Sequence, residues 1–295
     1  MRLVICIDDT DSKTSEKGTG AIADDIRNMV MERFAAPCSV ITRHQLLLHP
    51  DVPYTSHNSS MCFETEVPDE CYDELVAEAI RILSTESDPE SDPGIAIADR
   101  DRVDAERLIA YGKECKRRLM HKSDAYAVAE QAGFHLSEHG GTGDGVIGAA
   151  AGVGLRLWGN DGTMKGRPKD LDTPGVFTAE EICASRYIDT VVTVDGDPVP
   201  MEDQVELQQK CKVNVVDGRF CILVNEKTDG VWQTPERGNL RNYSDRFIFR
   251  EGCPDFKPDV EEEQVGGEAS CYNCLYRRWM DKHGILCQKP QEESV

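Results

Sequence analysis

The feature that most constrains this chain stands at its start. Residues 2–8 form a short apolar run, with Leu3-Val4-Ile5-Cys6-Ile7 at its centre, and it ends in Asp8-Asp9-Thr10-Asp11-Ser12. A run this short and this rich in branched residues reads as a buried strand. Three carboxylates then fall within four positions at its end, where like charges repel one another unless a cation sits among them. Lys17-Gly18-Thr19-Gly20 follows, opening a stretch from Ala21 to Phe34 with Ile22, Ile26, Met29, Val30 and Phe34 on helical spacing. Glycines there leave backbone N–H groups open at the positive end of a helix, which suits a phosphate. Mg²⁺ takes oxygen ligands from one or two carboxylates together with substrate phosphates. The order strand, acids, glycines, helix therefore suits a polyphosphate held with Mg²⁺ by Asp8, Asp9 and Asp11, with Thr10, Ser12, Gly18 and Gly20 beside it. The plain alternative is an acidic surface turn before a glycine-started helix.

A second glycine-rich stretch begins at His139 and runs Gly140-Gly141-Thr142-Gly143-Asp144-Gly145-Val146-Ile147-Gly148-Ala149-Ala150-Ala151-Gly152. Successive glycines and a small hydroxyl ahead of a helix of small residues let a backbone approach phosphate oxygens. Gly140, Gly141, Thr142 and Gly143 are the candidate cradle. No Gly-Lys-Ser/Thr follows, so this is not a P-loop. The competing reading is a tight turn into a close-packed helix. A third segment, Arg43-His44-Gln45-Leu46-Leu47-Leu48-His49-Pro50 with Tyr54-Thr55-Ser56-His57-Asn58-Ser59-Ser60, packs polar side chains into one loop. Arg43, His49, His57 and Asn58 are its candidate substrate contacts, although polar loops are common.

Around these motifs the spacing predicts strands over 38–48, 61–67 and 95–98, and helices over 21–34, 69–83, 103–120 and 124–132. Residues 84–94, rich in Ser, Asp, Glu and Pro, read as an exposed loop. Lys116, Arg117, Arg118 and Lys122 sit at the end of the third helix, where cations suit the dipole. Beyond Gly162, strands over 188–194, 213–216 and 219–224 are parted by Asp-Gly turns. The class is α/β or α+β without an internal repeat. A catalytic domain over 1–160, a β-rich α+β domain over 161–250 and a cysteine-containing tail over 251–295 follow from this texture.

Charge narrows the partners. Lys and Arg number 33 against 54 Asp and Glu, a net charge of −21 over 295 residues. Gripping a long nucleic acid by its phosphates normally needs a basic face. The balance therefore favours a small phosphorylated ligand over extensive RNA contact. Most of the twelve cysteines stand singly in apolar stretches, as reduced buried thiols do. The chain reaches paired carboxylates too early for a signal peptide, and no apolar run approaches a bilayer span. A cytoplasmic protein without membrane contact is expected. In the tail, Cys271-Tyr272-Asn273-Cys274 with Cys253 and Cys287 would complete a four-cysteine Zn²⁺ site, His283 being able to replace one ligand. An unmetallated pair is the alternative.

Taken together, Ile7 to Ser12, Arg43 to Ser60 and Gly140 to Ala151 resemble the archaeal tRNA-Ile agmatidine synthetase family. The resemblance implies an atypical kinase-like N-terminal domain that splits ATP to AMP and pyrophosphate. In that family a cytidine is activated by phosphorylation and captured by agmatine. A threonine near the first helix is autophosphorylated there, and Thr19 is its counterpart here, joining Asp8, Asp9 and Asp11 as catalytic candidates. The family adds a ferredoxin-like domain, an OB-fold and a zinc ribbon. This chain is shorter and its acidic second half shows no basic OB-like stretch, so it reads as a divergent homologue. The expectation is an ATP-dependent phosphotransferase or synthetase with Mg²⁺, acting on a small amine- or hydroxyl-bearing acceptor. The alternatives are a tRNA cytidine-modifying ligase and a nucleotide sensor without turnover.

Overall fold

The computed structural model describes residues 1–49, 51–52, 58–171, 173–208, 211–228, 230–235, 243–244, 274, 277–280 and 284–287. The first apolar run forms β1 (Arg2–Asp8). It is followed by α1 (Thr19–Arg33), β2 (Thr42–Gln45), β3 (Ser59–Glu66), α2 (Tyr72–Glu86) and β4 (Gly94–Asp99). Next come α3 (Ala105–Glu114), α4 (Lys122–Ala132), β5 (His135–Glu138) and α5 (Gly145–Trp158). The second half holds β6 (Thr163–Met164), β7 (Gly175–Thr178), α6 (Ala179–Cys183), β8 (Thr190–Thr193) and β9 (Gln204–Leu207). β10 (Val213–Val216), β11 (Arg219–Thr228) and β12 (Val231–Gln233) complete it, and β13 (Arg277–Met280) pairs with β14 (Gly284–Cys287).

β1 lies between β3 and β4, antiparallel to both, with Cys6 opposite Cys62 and Asp8 opposite Gly94. Its side chains alternate across the sheet, as strand geometry requires. Leu3, Ile5 and Ile7 pack with Ile22, Ile26 and Val30 of α1 and with Leu75, Ala79 and Leu83 of α2. Val4 and Cys6 face the other way, onto Leu108 of α3, Ala125 of α4 and the small residues of α5. The first half is thus a sheet sandwiched between helices, which explains why β1 is apolar on both faces.

The sheet does not stop where the texture of the sequence changes. Its order is β5-β4-β1-β3-β2-β6-β10-β11-β12-β9-β7, with β8 beside β11. The two-residue β6 joins β2 to β10. Beyond it lies a separate core of Ala179, Ile182, Val191, Val205, Leu207, Ile222 and Val224. The class is mixed α/β, with antiparallel pairs dominating and parallel pairing only at β8–β11 and β9–β12 among the described residues.

Several boundaries differ from the sequence expectation. The long strand expected over 38–48 is four residues, and Cys38 makes only an isolated bridge to Thr65. The helix expected over 103–120 ends at Glu114, and a turn and coil carry the chain on to His121. The loop expected over 84–94 is helical to Glu86, and its Ser91 is buried. β5 was not anticipated, because His135-Leu136-Ser137-Glu138 is too polar to read as a strand. Among the described residues no helix is long and apolar enough to cross a membrane.

Candidate active site

β1 delivers Asp8 to one end of the sheet, and the chain then turns sharply, with Asp9 in the left-handed region at φ 54°. The turn is braced from the loop after α2. The Asp88 carboxylate accepts from the Ser12 hydroxyl at 2.9 Å and the Ser15 hydroxyl at 2.5 Å, while its N–H donates to the Thr10 carbonyl at 3.0 Å. The segment expected to be bare surface therefore supports the acidic turn. Ser12 is engaged in this brace, and Thr10 is buried behind it.

The turn opens on a cleft of about 320 Å³. Asp8, Asp9, Asp11, Thr19 and Asn58 line it, so four segments widely separated in sequence meet there with Asp144, Gly145, Ile147 and Gly148. The opposite wall is Cys115, Arg118, Leu119, Met120, His121 and Lys122. Thr19, Lys122 and Gly145 are the first residues of α1, α4 and α5, so three helix N-termini converge on one cavity. Each carries partial positive charge, a setting that favours anions, although the Gly145, Val146 and Ile147 N–H groups of α5 already donate to the Asp92, Gly143 and Asp144 carbonyls.

The acids pull the other way. Burial first, and then the Asp9 and Asp11 charges, push the Asp8 carboxyl up to about 8. Burial also raises Asp9, to about 6, with Asp92, Asp11 and Asp144 adding repulsion. A carboxylate pair so unfavourably placed suits a cation that would share the cleft with an anion. Asp8 has room because of Gly148, where a Cβ would fall on the Asp8 Oδ2. The same absence of side chains lets Gly152 meet Cys6 and Ser60, and lets Gly154 meet the Leu108 carbonyl of α3. The small residues of α5 are thus accounted for by close packing on the sheet and on α3.

Other expected residues stand apart. Gly140, Gly141, Thr142 and Gly143 do not line the cleft. The Thr142 N–H donates to the Asp92 carboxylate, and the Gly143 N–H to the Gly140 carbonyl at 3.0 Å. Gly143 takes φ 75°, and a Cβ there would run into the Glu138 carboxylate. The loop is thus tied down, and Lys122 fastens it to α4 through the Thr142 carbonyl at 2.6 Å. Gly18 caps α1 with the Asp11 carboxylate against it, and Gly20 lies under the Lys165 side chain. Arg43 is half-buried and donates to the Ser59 hydroxyl at 2.9 Å, and His49 accepts from the Asp51 N–H at 3.1 Å. Neither is among the lining residues. His57, Cys253 and Cys271 lie outside the described residues, while Cys274 is buried and Cys287 ends β14.

Two expectations need correction on geometry. Among the described residues no group of three or more His, Cys, Asp or Glu side chains is arranged to hold a metal ion. Asp8, Asp9 and Asp11 therefore do not form a three-carboxylate cage. The basic cluster expected around Lys116 is also divided, because Lys116 is 4% exposed and directed inward at Asp161. Arg118, His121, Lys122 and Asp144 were not singled out as site residues. His121-Lys122-Ser123-Asp124, a polar string opening a helix, is the signal that would have found the third helix start.

No known family profile matches the chain. A curated protein of Haloquadratum walsbyi (strain DSM 16790 / HBSQ001), the isoleucine-tRNA 2-agmatinylcytidine synthetase TiaS, is 28% identical over 209 residues, or 66% of this chain. The chain is similar to TiaS. It spans 44% of the length of that relative. Among solved structures, a complex of TiaS with its isoleucine tRNA, AMPCPP and agmatine matches with a TM-score of 0.47 and 24% identity, over 61% of this chain and 43% of that one. A complex of TiaS with the same tRNA and ATP matches with a TM-score of 0.45 and 25% identity, over 52% and 36%. The relative is named for a tRNA substrate, which overturns the expectation that set a small ligand above extensive nucleic-acid contact. That expectation rested on net charge, a sum over the whole molecule, whereas nucleic acid meets only a local surface.

Proposed function

We propose that the chain uses ATP in this cleft to modify a cytidine of tRNA, as a TiaS-like synthetase. The similarity to TiaS supports the substrate class. The observation that carries the reading is the cleft itself, where buried Asp8 and half-buried Asp9 share one cavity with three helix N-termini. In this reading the N-terminus of α1 binds phosphate oxygens of ATP through backbone N–H groups, and the positive end of α5 adds its dipole. Asp8 and Asp9 would hold Mg²⁺, which when bound would neutralise charge on the phosphates. Two carboxylates are enough for that, the remaining ligands being phosphate oxygens and water.

The Thr19 hydroxyl lines the cleft at the mouth of α1 and is the acceptor for autophosphorylation in this proposal. Asn58 and the wall from Arg118 to Lys122 face the cytidine. Its flanking phosphates meet Arg118 and Lys122, whose charges are only partly taken up by Glu114 and Glu138. Chemistry of this kind needs positioning and charge stabilisation more than covalent machinery.

The test is turnover with a transcript of the isoleucine tRNA that TiaS is named for, agmatine and radiolabelled ATP. AMP and inorganic phosphate should appear only when tRNA is present, with one cytidine converted to 2-agmatinylcytidine by nucleoside mass spectrometry. ATP consumption indifferent to tRNA, or none at all, would refute the proposal.

A further inference from the structure

Behind the cleft, and outside its lining, lies a fully buried polar network. The Asp161 carboxylate accepts from His44 Nδ1 at 2.8 Å, from Lys116 Nζ at 2.6 Å and from the Ser244 hydroxyl at 2.5 Å. His44 and Asp161 are 0% exposed and Lys116 is 4% exposed. Lys116 also donates to the Gln45 carbonyl at 2.9 Å, and the second His44 nitrogen bonds the Thr42 hydroxyl at 2.8 Å. Burying these charges costs free energy that a well-packed apolar cluster would avoid, so stability alone gives little reason for them.

What the network holds gives a reason. Residues 115–121 are turn and coil, yet they supply one wall of the cleft. Two ties join this strap to the end of β2. One is the Lys116 bond to Gln45, and the other is the Leu47 N–H donating to the Cys115 carbonyl at 3.2 Å. Leu46 and Leu47 are in turn bonded to Asn58 at 2.8 Å each. Cys115, Arg118, Leu46, Leu47 and Asn58 all line the cleft, so the wall facing the acidic turn rests on Lys116. Asp8 rests instead on β4, the start of α5 packs against Gly94 and Asp8, and the acidic turn is held by Asp88.

We infer that Lys116 and Asp161, with His44, are positioning residues that set the strap 115–122 against the acidic turn. This rests on the reading of the cleft as the active site. The half of the cleft that would bind Mg-ATP is independent of the network, and the half facing the second substrate depends on it. Losing the network therefore separates nucleotide binding from turnover.

The test uses the full chain carrying Lys116→Met, Asp161→Asn, or Lys116→Met with Asp161→Leu, the last leaving no unpaired buried charge should the single variants fail to fold. Leu207→Ala, in the distant core, is the control for general destabilisation. Strap position is read without any ligand, from the rate at which Cys115 is alkylated, by peptide mass spectrometry. Cys71 and Cys183, packed on two cores away from the network, serve as internal references. The expected result is Cys115 labelling about tenfold faster or more, with Cys71 and Cys183 unchanged, because opening is local. Alongside it, kcat should fall about a hundredfold while KM for ATP stays within about threefold, the signature of a misplaced second substrate. Parallel labelling of all three thiols, unchanged Cys115 labelling, or a kcat loss matched by the control overturns the inference. If the unaltered chain shows no turnover, the proposed function fails, and Cys115 labelling still decides whether the network holds the strap.

Discussion

Replacing Asp8 by Asn should stabilise this protein, by an amount that depends on pH. The Asp8 carboxyl is raised from 3.8 to about 8, first by burial and then by Asp9 and Asp11. Each pH unit between those two values is worth about 1.4 kcal/mol, so the penalty on the buried acid reaches at most about 6 kcal/mol. The Asp9 N–H favours the charged form and loses strength when it faces an amide, which returns about 1–2 kcal/mol. Burying the new amide with incomplete hydrogen bonds takes about 1–2 kcal/mol more. A net gain of about 2–4 kcal/mol remains for the variant. The sign follows from linkage. Below about pH 4 the carboxyl is protonated both folded and unfolded, so the charge penalty vanishes and the variant is no more stable than its parent. Between about pH 4 and 8 the unfolded chain releases the proton and the folded chain keeps it, so the parent loses stability as pH rises. Above about pH 8 the full penalty stands. Melting temperatures taken without nucleotide at pH 4.5, 6, 7.5 and 8.5 should show a gap opening to about 5–10 °C, given about 2–4 °C per kcal/mol at this size. Millimolar Mg²⁺ should close the gap by raising the parent alone. A variant no more stable than its parent at pH 8.5, or a gap independent of pH, would refute the reasoning.

Four further outcomes are expected. Asp9→Asn should abolish tRNA-dependent AMP release while leaving the circular dichroism spectrum unchanged, since Asp9 lines the cleft and turns no core residue. Mg-ATP at a hundred times its Kd should add about 2.7 kcal/mol of stability, readable as a melting shift that EDTA abolishes. Gly148→Ala should cost about 1–3 kcal/mol in denaturant unfolding and abolish the Mg²⁺-dependent melting shift, because the new methyl overlaps the Asp8 carboxylate. Affinity for the isoleucine tRNA transcript should fall with salt on a logarithmic slope of about −2, as two phosphate contacts at Arg118 and Lys122 dictate, and Arg118→Ala should flatten it.

The parts legible in the sequence were those written locally. β1 announced itself through Leu3 to Ile7, and the acidic turn with Thr19 behind it fell where the order of residues placed it. The second glycine stretch was legible as a turn into a helix, yet its purpose differs from appearance. Gly148, Gly152 and Gly154 are small because β1, β3 and α3 press on them, and the loop before them bonds to Asp92. The strap was not legible, because Lys116 leaves the helical pattern for a partner 45 positions away. Periodicity sees neighbours along an element and is blind to such a pair. β5 was missed for the opposite reason: its polar residues are tolerated at the sheet's edge, where no second strand covers them among those described.

The contact of α5 with the sheet also limits how the protein can drift over time. At most positions a core accepts exchange among residues of similar volume, because neighbours adjust by fractions of an ångström. At 148, 152 and 154 the nearest atoms belong to a carboxylate, a thiol and a main-chain carbonyl, and even one methyl finds no space. These three sites admit a single residue type for as long as the helix keeps its seat. Two consequences follow for a lineage. Substitutions will accumulate around α5 while its inner edge stays fixed, and descendants that lose a glycine there will have let the helix lift away from β1, carrying the start of α5 out of reach of Asp8.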